Sequence, residues 1–167
     1  MFPSIVVSLL ISYYANGVAL SQTVASKSVA STVLPVKVNK SLMLQLVNEV
    51  RKNGCQCGDT YYYPVPEVTW NTQLELAASH HSSNMYLKNF FSHIAPDGTK
   101  GGARIERAGY NWKAYGENIA TGYTNEREVI KGWIKSPGHC KNLMNKVYKE
   151  MGVARVGKYW TQEFGVR

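Results

Sequence analysis

Three residues of the 167-residue chain have side chains that can do chemistry and stand in distinctive settings. Glu117 lies in the sequence GENIA at residues 116–120, His93 ends the sequence FFSH, and His139 ends the sequence SPGH. If they meet in one cleft, they match the ligand set of a zinc site with an open position. They equally match a general acid–base group, and a set of loop-locking hydrogen bonds is the simpler alternative. Their spacing along the chain does not separate these interpretations.

The surroundings of Glu117 predict a partly buried carboxylate. Three aromatic residues precede it, at Tyr110, Trp112 and Tyr115. A buried carboxylate needs hydrogen bonds or a cationic partner, because otherwise its pKa rises. A nearby histidine such as His93 would meet that need.

Helices and loops must position these side chains. His81 falls on the apolar stripe of a predicted helix, so we expect a buried histidine with a structural hydrogen bond. His93 follows that helix in a loop held by a rigid scaffold. Apolar periodicity and capping residues predict five helices, over Asn39–Asn53 (cap Asn39 or Ser41), Thr72–Phe90 (cap Asn71 or Thr72), 102–109, Thr124 or Asn125 to Lys135, and His139–Met144. Residues 54–69 are predicted to be irregular. Two strands are predicted, over 150–156 and 158–165.

Composition indicates a single globular domain with a basic surface. Apolar residues make up 44% of the chain, and the length is sufficient to bury a core. The net charge is +8, but the basic residues are scattered and nothing resembles a nucleic-acid module, so we expect no nucleic-acid partner. Ser92 and Ser136 lack the strand–elbow–helix context of a hydrolase nucleophile. Cys140 is more typical of a disulfide than of a nucleophile.

Residues 1–25 predict a signal for export. A short apolar run is followed by small residues that suit cleavage, although no basic residue precedes it. An uncleaved anchor and a cytosolic tail are the alternatives. We expect residues 26–38 to be a linker and residues 39–167 to be the folded domain. Export would place the cysteines in an oxidising compartment and would limit membrane contact to the signal before its cleavage.

Residues 40–165 resemble the CAP superfamily of cysteine-rich secretory, antigen 5 and pathogenesis-related proteins, particularly its compact bacterial-type members. Seven short sequence pieces carry the resemblance, and they occur in order over most of the chain. They are LELAA with HSSNM (74–85), FFSH with PDG (90–98), AGY (108–110), GENIA (116–120), WIKSPGH (133–139), MGVA (151–154) and YWTQ (159–162).

The resemblance implies an α+β fold, an α–β–α sandwich with a small central antiparallel sheet. It also implies secretion and a central cleft that in the family can hold a divalent metal, often zinc. His93 matches the first cleft histidine and Glu117 the first cleft glutamate. His139 substitutes for a second histidine, because the strand of the eukaryotic members begins here with Tyr159. The expected ligand-binding cleft and metal set is His93, Glu117 and His139, supported by Asn118, Ser136 and Gln162.

Two further expectations rest on the same resemblance. Ser136 replaces the second glutamate of the eukaryotic members, so at most two histidines and one glutamate remain for a metal. A cysteine after SPGH tends in the family to pair with one at the end of the first helix, which implies a Cys57–Cys140 disulfide. The alternative is a Cys55–Cys140 bond.

We therefore expect a secreted domain that binds a small ligand, a lipid or a divalent metal without catalysis. Zinc or another divalent cation is the expected cofactor if the cleft holds a metal. One alternative is a metal-assisted hydrolase that acts on peptide or cell-wall material. The other is an envelope interaction module that uses the basic surface.

Overall fold

A computed structural model describes residues 36–167. The predicted signal and most of the predicted linker lie outside the described residues. Where the description begins, Val36 forms an isolated antiparallel bridge with Arg155. The first helix begins directly after its cap residue, Asn39.

The described part of the chain contains five helices. None of them, within residues 36–167, combines the length and the apolar character needed to span a membrane. They are α1 (Lys40–Asn53), α2 (Thr72–Lys88), α3 (Gly101–Arg107), α4 (Glu126–Lys135) and α5 (Pro137–Leu143).

Asparagine side chains begin three of these helices, as the sequence predicts. Asn39 accepts a hydrogen bond from the Leu42 amide, and Asn71 caps α2 in the same way. Asn125 caps α4. Each cap satisfies an amide that has no partner within its helix. Helix α2 ends two residues before the predicted Phe90, because Asn89 adopts a left-handed conformation with φ 48°.

The central sheet has the strand order β3-β5-β6-β4. Its three long strands pair antiparallel, as predicted, whereas the two-residue β3 pairs parallel with β5 and makes the sheet mixed. The predicted irregular segment contains a short hairpin of β1 and β2 instead. The strands are β1 (Cys55–Cys57), β2 (Thr60–Tyr62), β3 (Thr69–Trp70), β4 (Ala114–Thr121), β5 (Glu150–Val156) and β6 (Tyr159–Val166).

Helices cover both faces of the sheet, so the α+β sandwich is confirmed. Helices α1, α4 and α5 pack on one face, where Trp133, Trp160 and Phe164 contribute to the larger apolar core. Helices α2 and α3 pack on the other face, with a smaller core around Leu74 and Ile105. Residues within β4 and β6 are buried almost throughout, because both of their faces are covered.

Helix α2 approaches the sheet most closely at Gly152 in β5. A Cβ atom at this position would collide with the backbone of Leu74 and Glu75 in α2. Glycine is therefore required here for close packing of helix and strand.

Two contacts fix the other side of the molecule. The predicted disulfide between Cys57 and Cys140 is confirmed, with Cα atoms 5.4 Å apart, and Cys55 is free. The fully buried Arg51 donates hydrogen bonds to the carbonyl oxygens of Pro66 and Leu143, each at 2.7 Å. Arg51 thereby ties α1 to the end of α5.

Candidate functional site

Glu117 lies at the centre of a buried charged cluster in strand β4. Its side chain faces α2 and α3, and both of its carboxylate oxygens have partners. Oε1 is 2.6 Å from Nδ1 of His93, and Oε2 accepts a hydrogen bond from Nη2 of Arg104. The predicted pairing of Glu117 with His93 is therefore present.

Arg104 connects this carboxylate to the loop that follows α2. Its guanidinium also donates to the carbonyl oxygens of His93, at 2.9 Å, and Thr99, at 3.0 Å. The side chain is 6% exposed, so the ion pair with Glu117 is shielded from water. One arginine thus sets the position of both the carboxylate and the loop that carries His93.

A second carboxyl group lies beside Glu117. Glu163 in β6 is its direct partner across the strand pair and is fully buried. In residues 36–167, no N–H or hydroxyl group reaches either carboxyl oxygen of Glu163. Burial, and then the negative charge of Glu117, raise the pKa of Glu163 well above its ordinary value. A raised pKa favours the protonated, neutral form of Glu163, whose proton can then be shared with the carboxylate of Glu117.

Glu117 remains ionised in this arrangement. Burial alone would raise its pKa, but hydrogen bonds from His93 and Glu163 and the charge of Arg104 bring that pKa down to about 2. The surroundings thus shift the pKa values of the two glutamates in opposite directions, which favours one protonated and one ionised carboxyl group.

His81 completes the cluster from helix α2, and the prediction of a buried histidine with a structural hydrogen bond is confirmed. Its Nε2 donates to the carbonyl oxygen of Ser92 at 3.0 Å and lies 3.9 Å from Oε1 of Glu117. Burial lowers the pKa of His81 to about 4, so the ring is neutral at neutral pH.

His139 does not join Glu117 directly. It lies half-buried in the first turn of α5, and burial, then the charge of His93, lower its pKa. Among the described residues no hydrogen bond links its ring to Glu117. A metal site needs several ligand atoms close together. In residues 36–167, the only group of three His, Cys, Asp or Glu side chains with ligand atoms within 4.8 Å of one another is the three cysteines. The structure thus brings His93 and Glu117 together and leaves His139 outside that contact.

The predicted supporting residues lie on the opposite face of the sheet from Glu117. Asn118 donates to the side chain of Gln162 at 3.0 Å and to the carbonyl oxygen of His139 at 3.2 Å. It accepts from Asn142 at 2.9 Å. Ser136 ends α4 and precedes α5. Asn118, Gln162 and Asn142 form an amide network that holds α5 against β4. Neither these residues nor Ser136 line the opening beside His93.

That opening is a cleft of about 260 Å³ beside the charged cluster. The side chain of His93 is 54% exposed there, while its Nδ1 contacts Glu117. The residues that line the cleft are His93, Ile94, Lys100, Gly101, Tyr115 and Glu117.

Direct ligation of a metal by His93, Glu117 and His139 does not fit this arrangement. Both oxygens of Glu117 are committed to His93 and Arg104, and the three side chains are not among the described groups with metal-ligand spacing. Ligation by Glu117 would require it to give up one of these hydrogen bonds.

Three members of the cluster have roles that the sequence interpretation missed. Arg104 and Glu163 were not predicted to contact Glu117, and the contact of His81 with Glu117 was not anticipated. A signal for Glu163 existed, because antiparallel pairing of the GENIA segment with the last strand places Glu117 opposite Glu163.

Comparison with known proteins agrees with this architecture. A sequence profile of the CAP family, described as the cysteine-rich secretory protein family, matches residues 44–164. The uncharacterized protein YkwD of Bacillus subtilis is 38% identical over 93 residues, which are 54% of this chain and 36% of that protein. The uncharacterized membrane protein YlbC of the same species is 34% identical over 123 residues, 73% of this chain and 33% of that protein. The chain thus spans about a third of the length of these relatives.

Two solved structures have the same fold. An extracellular SCP-domain protein from Bacillus anthracis is 30% identical, with a TM-score of 0.67 over 76% of this chain and 40% of that chain. An outer surface protein from Borrelia burgdorferi has a TM-score of 0.67 at 19% identity, over 80% of this chain and 98% of that chain, and shows the fold alone. Because the family profile covers most of the chain, this protein belongs to the CAP family of cysteine-rich secretory proteins.

Proposed function

We propose that this protein is an exported CAP-domain binding protein whose cleft beside His93 holds a small anionic ligand without catalysis. The proposal rests on one observation: His93 and Arg104 already occupy both carboxylate oxygens of Glu117. This arrangement leaves Lys100 without an acidic partner among the described residues, and Tyr115 adds an aromatic wall to the cleft. The extracellular relative from Bacillus anthracis supports the location.

The balance of charge around the cleft favours an anion. Arg104 and Lys100 each carry a positive charge and Glu117 carries a negative charge, whereas the raised pKa of Glu163 favours its neutral form. With Glu163 neutral, these charges sum to +1. A carboxylate or phosphate group near Lys100 and the outer edge of His93 would balance this charge, while Ile94 and Tyr115 offer apolar contacts.

The same geometry argues against acid–base catalysis by Glu117. A carboxylate with a pKa of about 2 has no proton to donate near neutral pH. Its two oxygens are also occupied and so are poorly placed to accept a proton from a substrate. These points support binding over the hydrolase alternative.

The experiment is an NMR titration of the ¹⁵N-labelled protein with sodium phosphate and sodium acetate at constant ionic strength. We expect saturable amide shifts in residues 93–101 and 115–117. Lys100→Gln should abolish them, whereas Lys88→Gln, which removes an exposed lysine from the end of α2, should not. The absence of saturable shifts with either anion would refute the proposal.

A parallel titration with zinc chloride addresses the metal alternative. Zinc shifts that centre on His93 and His139 and disappear in His93→Ala would favour metal binding over anion binding, particularly if the anions cause no shifts.

A second candidate function is supported by a pocket between α1 and α4. This pocket has a volume of about 400 Å³ and apolar walls from Leu46, Val50, Ile130 and Ile134, with Arg127 and Lys131 also lining it. Such a combination suits a lipid with an apolar chain and an anionic head.

Calorimetry with sodium oleate measures this second function. Ile134→Glu places a charge in the pocket wall and should abolish oleate binding. The matched control Leu87→Glu changes an exposed leucine of α2, outside the pocket, and should leave binding unchanged. Equal binding by both variants would exclude the pocket between α1 and α4 as the lipid site.

A further inference from the structure

The three cysteines form a second cluster of reactive groups. Cys57 and Cys140 are joined in a disulfide, and Cys55 is a free thiol. The sulfur of Cys55 lies 3.5 Å from the sulfur of Cys140, and all three sulfurs lie within 4.8 Å of one another. Cys140 is therefore bonded to one sulfur and in contact with another.

Strand geometry explains why two cysteines converge on the third. Cys55 and Cys57 are the first and last residues of β1, and side chains two positions apart in a strand point to the same side. Both are thus directed toward Cys140 in α5. Because two of the three sulfurs are already bonded to each other, they cannot act as thiolate ligands, and the cluster is suited to exchange chemistry instead.

We propose that Cys55 is an exchange thiol that converts the Cys57–Cys140 disulfide into a Cys55–Cys140 disulfide and back. The Cys55 thiolate attacks the sulfur of Cys140, and the Cys55–Cys140 bond forms as the Cys57–Cys140 bond breaks. The electron pair of the broken bond stays on Cys57, which takes up the proton that Cys55 released. The step consumes no oxidant or reductant.

Chain entropy does not choose between the two disulfides. The paired cysteines are separated by 83 positions in one disulfide and by 85 in the other. The entropy of a closed loop varies only with the logarithm of its length. Local packing decides instead. Cys57 is 2% exposed and belongs to an apolar cluster with Cys140 and Met144, whereas Cys55 is half-buried, which favours the disulfide present in this structure.

Geometry and burial both make the exchange slow at neutral pH. The three sulfurs form a triangle, so the Cys55 side chain must rotate before it attacks in line with the disulfide. Burial raises the pKa of the Cys55 thiol, which lowers the fraction of reactive thiolate. The rate of exchange should therefore rise tenfold for each pH unit below that pKa.

Exchange also changes which thiol meets solvent. Cys55 lines the open pocket between α1 and α4, where a small reagent can reach it, whereas Cys57 is almost fully buried. Alkylation of Cys55 should therefore lock the observed disulfide in place.

The test uses the full oxidised protein without reductant. Samples are held at pH 6 and pH 8.5, quenched with N-ethylmaleimide at pH 6.5 in urea, and digested without reduction. Fragmentation of the peptide that contains residues 55–57 locates the label. We expect the label on Cys55 alone after brief incubation at pH 6, and on both Cys55 and Cys57 after incubation at pH 8.5. A label confined to Cys55 after prolonged incubation at pH 8.5 would overturn the proposal.

Two variants separate exchange from unfolding. Cys57→Ser, refolded with reduced and oxidised glutathione, should form a Cys55–Cys140 disulfide and contain no free thiol. Cys55→Ser has no free thiol, so it should keep the Cys57–Cys140 disulfide and take up no label at any pH. A folded Cys57→Ser protein with two free thiols would show that Cys55 cannot bond to Cys140, and the exchange would be refuted.

Discussion

The two faces of the β4–β6 strand pair hold buried polar side chains in opposite ways. On one face, Glu117 and Glu163 are direct cross-strand partners, and on the other face Asn118 and Gln162 occupy the next position along. The amides carry both donors and acceptors, so Asn118 and Gln162 satisfy each other directly. Two carboxylates carry only acceptors, so the pair of glutamates requires a proton and an external cation.

This difference determines how far each site depends on the rest of the fold. The amide face needs only nearby residues of α5 to complete its hydrogen bonds. The carboxyl face draws Arg104 from α3, His93 from a loop and His81 from α2. The neutral pair of Asn118 and Gln162 thus has a structural role that depends only on nearby residues. The carboxyl pair of Glu117 and Glu163 links three segments of the chain, and its contribution to stability depends on pH.

The largest effect should come from removing the cation of the carboxyl face. Arg104→Met leaves the ionised Glu117 buried without its ion-pair partner, which we expect to lower the free energy of unfolding by about 3–5 kcal/mol. Urea denaturation at pH 7 measures this change. The control Arg107→Met removes an exposed arginine from the same helix and should change stability by less than about 0.5 kcal/mol. Similar losses in both variants would contradict a special role for Arg104.

The next effect should separate the two glutamates by their response to pH. The folded-state pKa of Glu163 is raised, so its contribution to stability is present below its ordinary value of 4.5 and declines as pH rises above it. Glu163→Gln keeps a donor toward Glu117 and does not titrate. Relative to wild type, the variant should gain stability above pH 4.5, with a slope of at most about 1.4 kcal/mol per pH unit.

Glu117→Gln should show the opposite sign. The folded-state pKa of Glu117 is lowered to about 2, so its contribution is present above 4.5 and is lost as pH falls toward 2. The disadvantage of the variant should therefore be greatest near neutral pH and should disappear in acid. Urea midpoints between pH 3 and pH 8 measure both variants, and parallel curves would show that the two glutamates are equivalent.

A smaller effect is expected on the amide face. Asn118→Ala leaves the buried side-chain oxygen of Gln162 without its donor and removes one of the two acceptors of the Asn142 amide, which should destabilise the fold by about 1–3 kcal/mol. Because no charge is involved, this loss should be the same at pH 5 and pH 8. A loss that changes with pH would mean that the two faces are electrostatically coupled.

The smallest effect on stability is expected at the edge of the charged cluster. The His93 side chain is 54% exposed, and Arg104 still holds Glu117 when the imidazole is removed. His93→Ala should therefore lower the free energy of unfolding by less than about 1 kcal/mol. Thermal denaturation at pH 7 checks this value, and a loss as large as that of Arg104→Met would place His93 in the structural core of the cluster.

Local signals in the sequence were sufficient to predict the helices. The asparagine caps and the apolar periods of α1, α2 and α4 act over a few residues, so they are visible without the rest of the fold. Strand β4 was harder to identify because Gly116, Glu117 and Asn118 have low strand propensity. Pairing with β6 imposes the extended conformation there.

The sequence predicted only those site residues that lie in recognisable short motifs. The contact between His93 and Glu117 followed from the setting of each residue and from the family resemblance. Arg104 and Glu163 depend on how α3 packs and on the register of two strands that are distant in the chain, and neither is encoded locally. The positions of Asn118 and Gln162 on the opposite face follow from strand alternation, which applies only once β4 is known to be a strand.

Gly152 restricts which substitutions the carboxyl face can tolerate, because α2 packs against its backbone. Because the backbone of α2 rests directly on this residue, the spacing between helix and sheet is set at its minimum there. Any larger residue would move the whole helix outward, and His81 and Ser82 would move with it. Homologues that keep glycine at this position can vary the cleft through single side chains. In a homologue with a larger residue at this position, α2 would have to pack differently on the sheet. We therefore expect such homologues to have a different set of buried polar residues between α2 and the sheet.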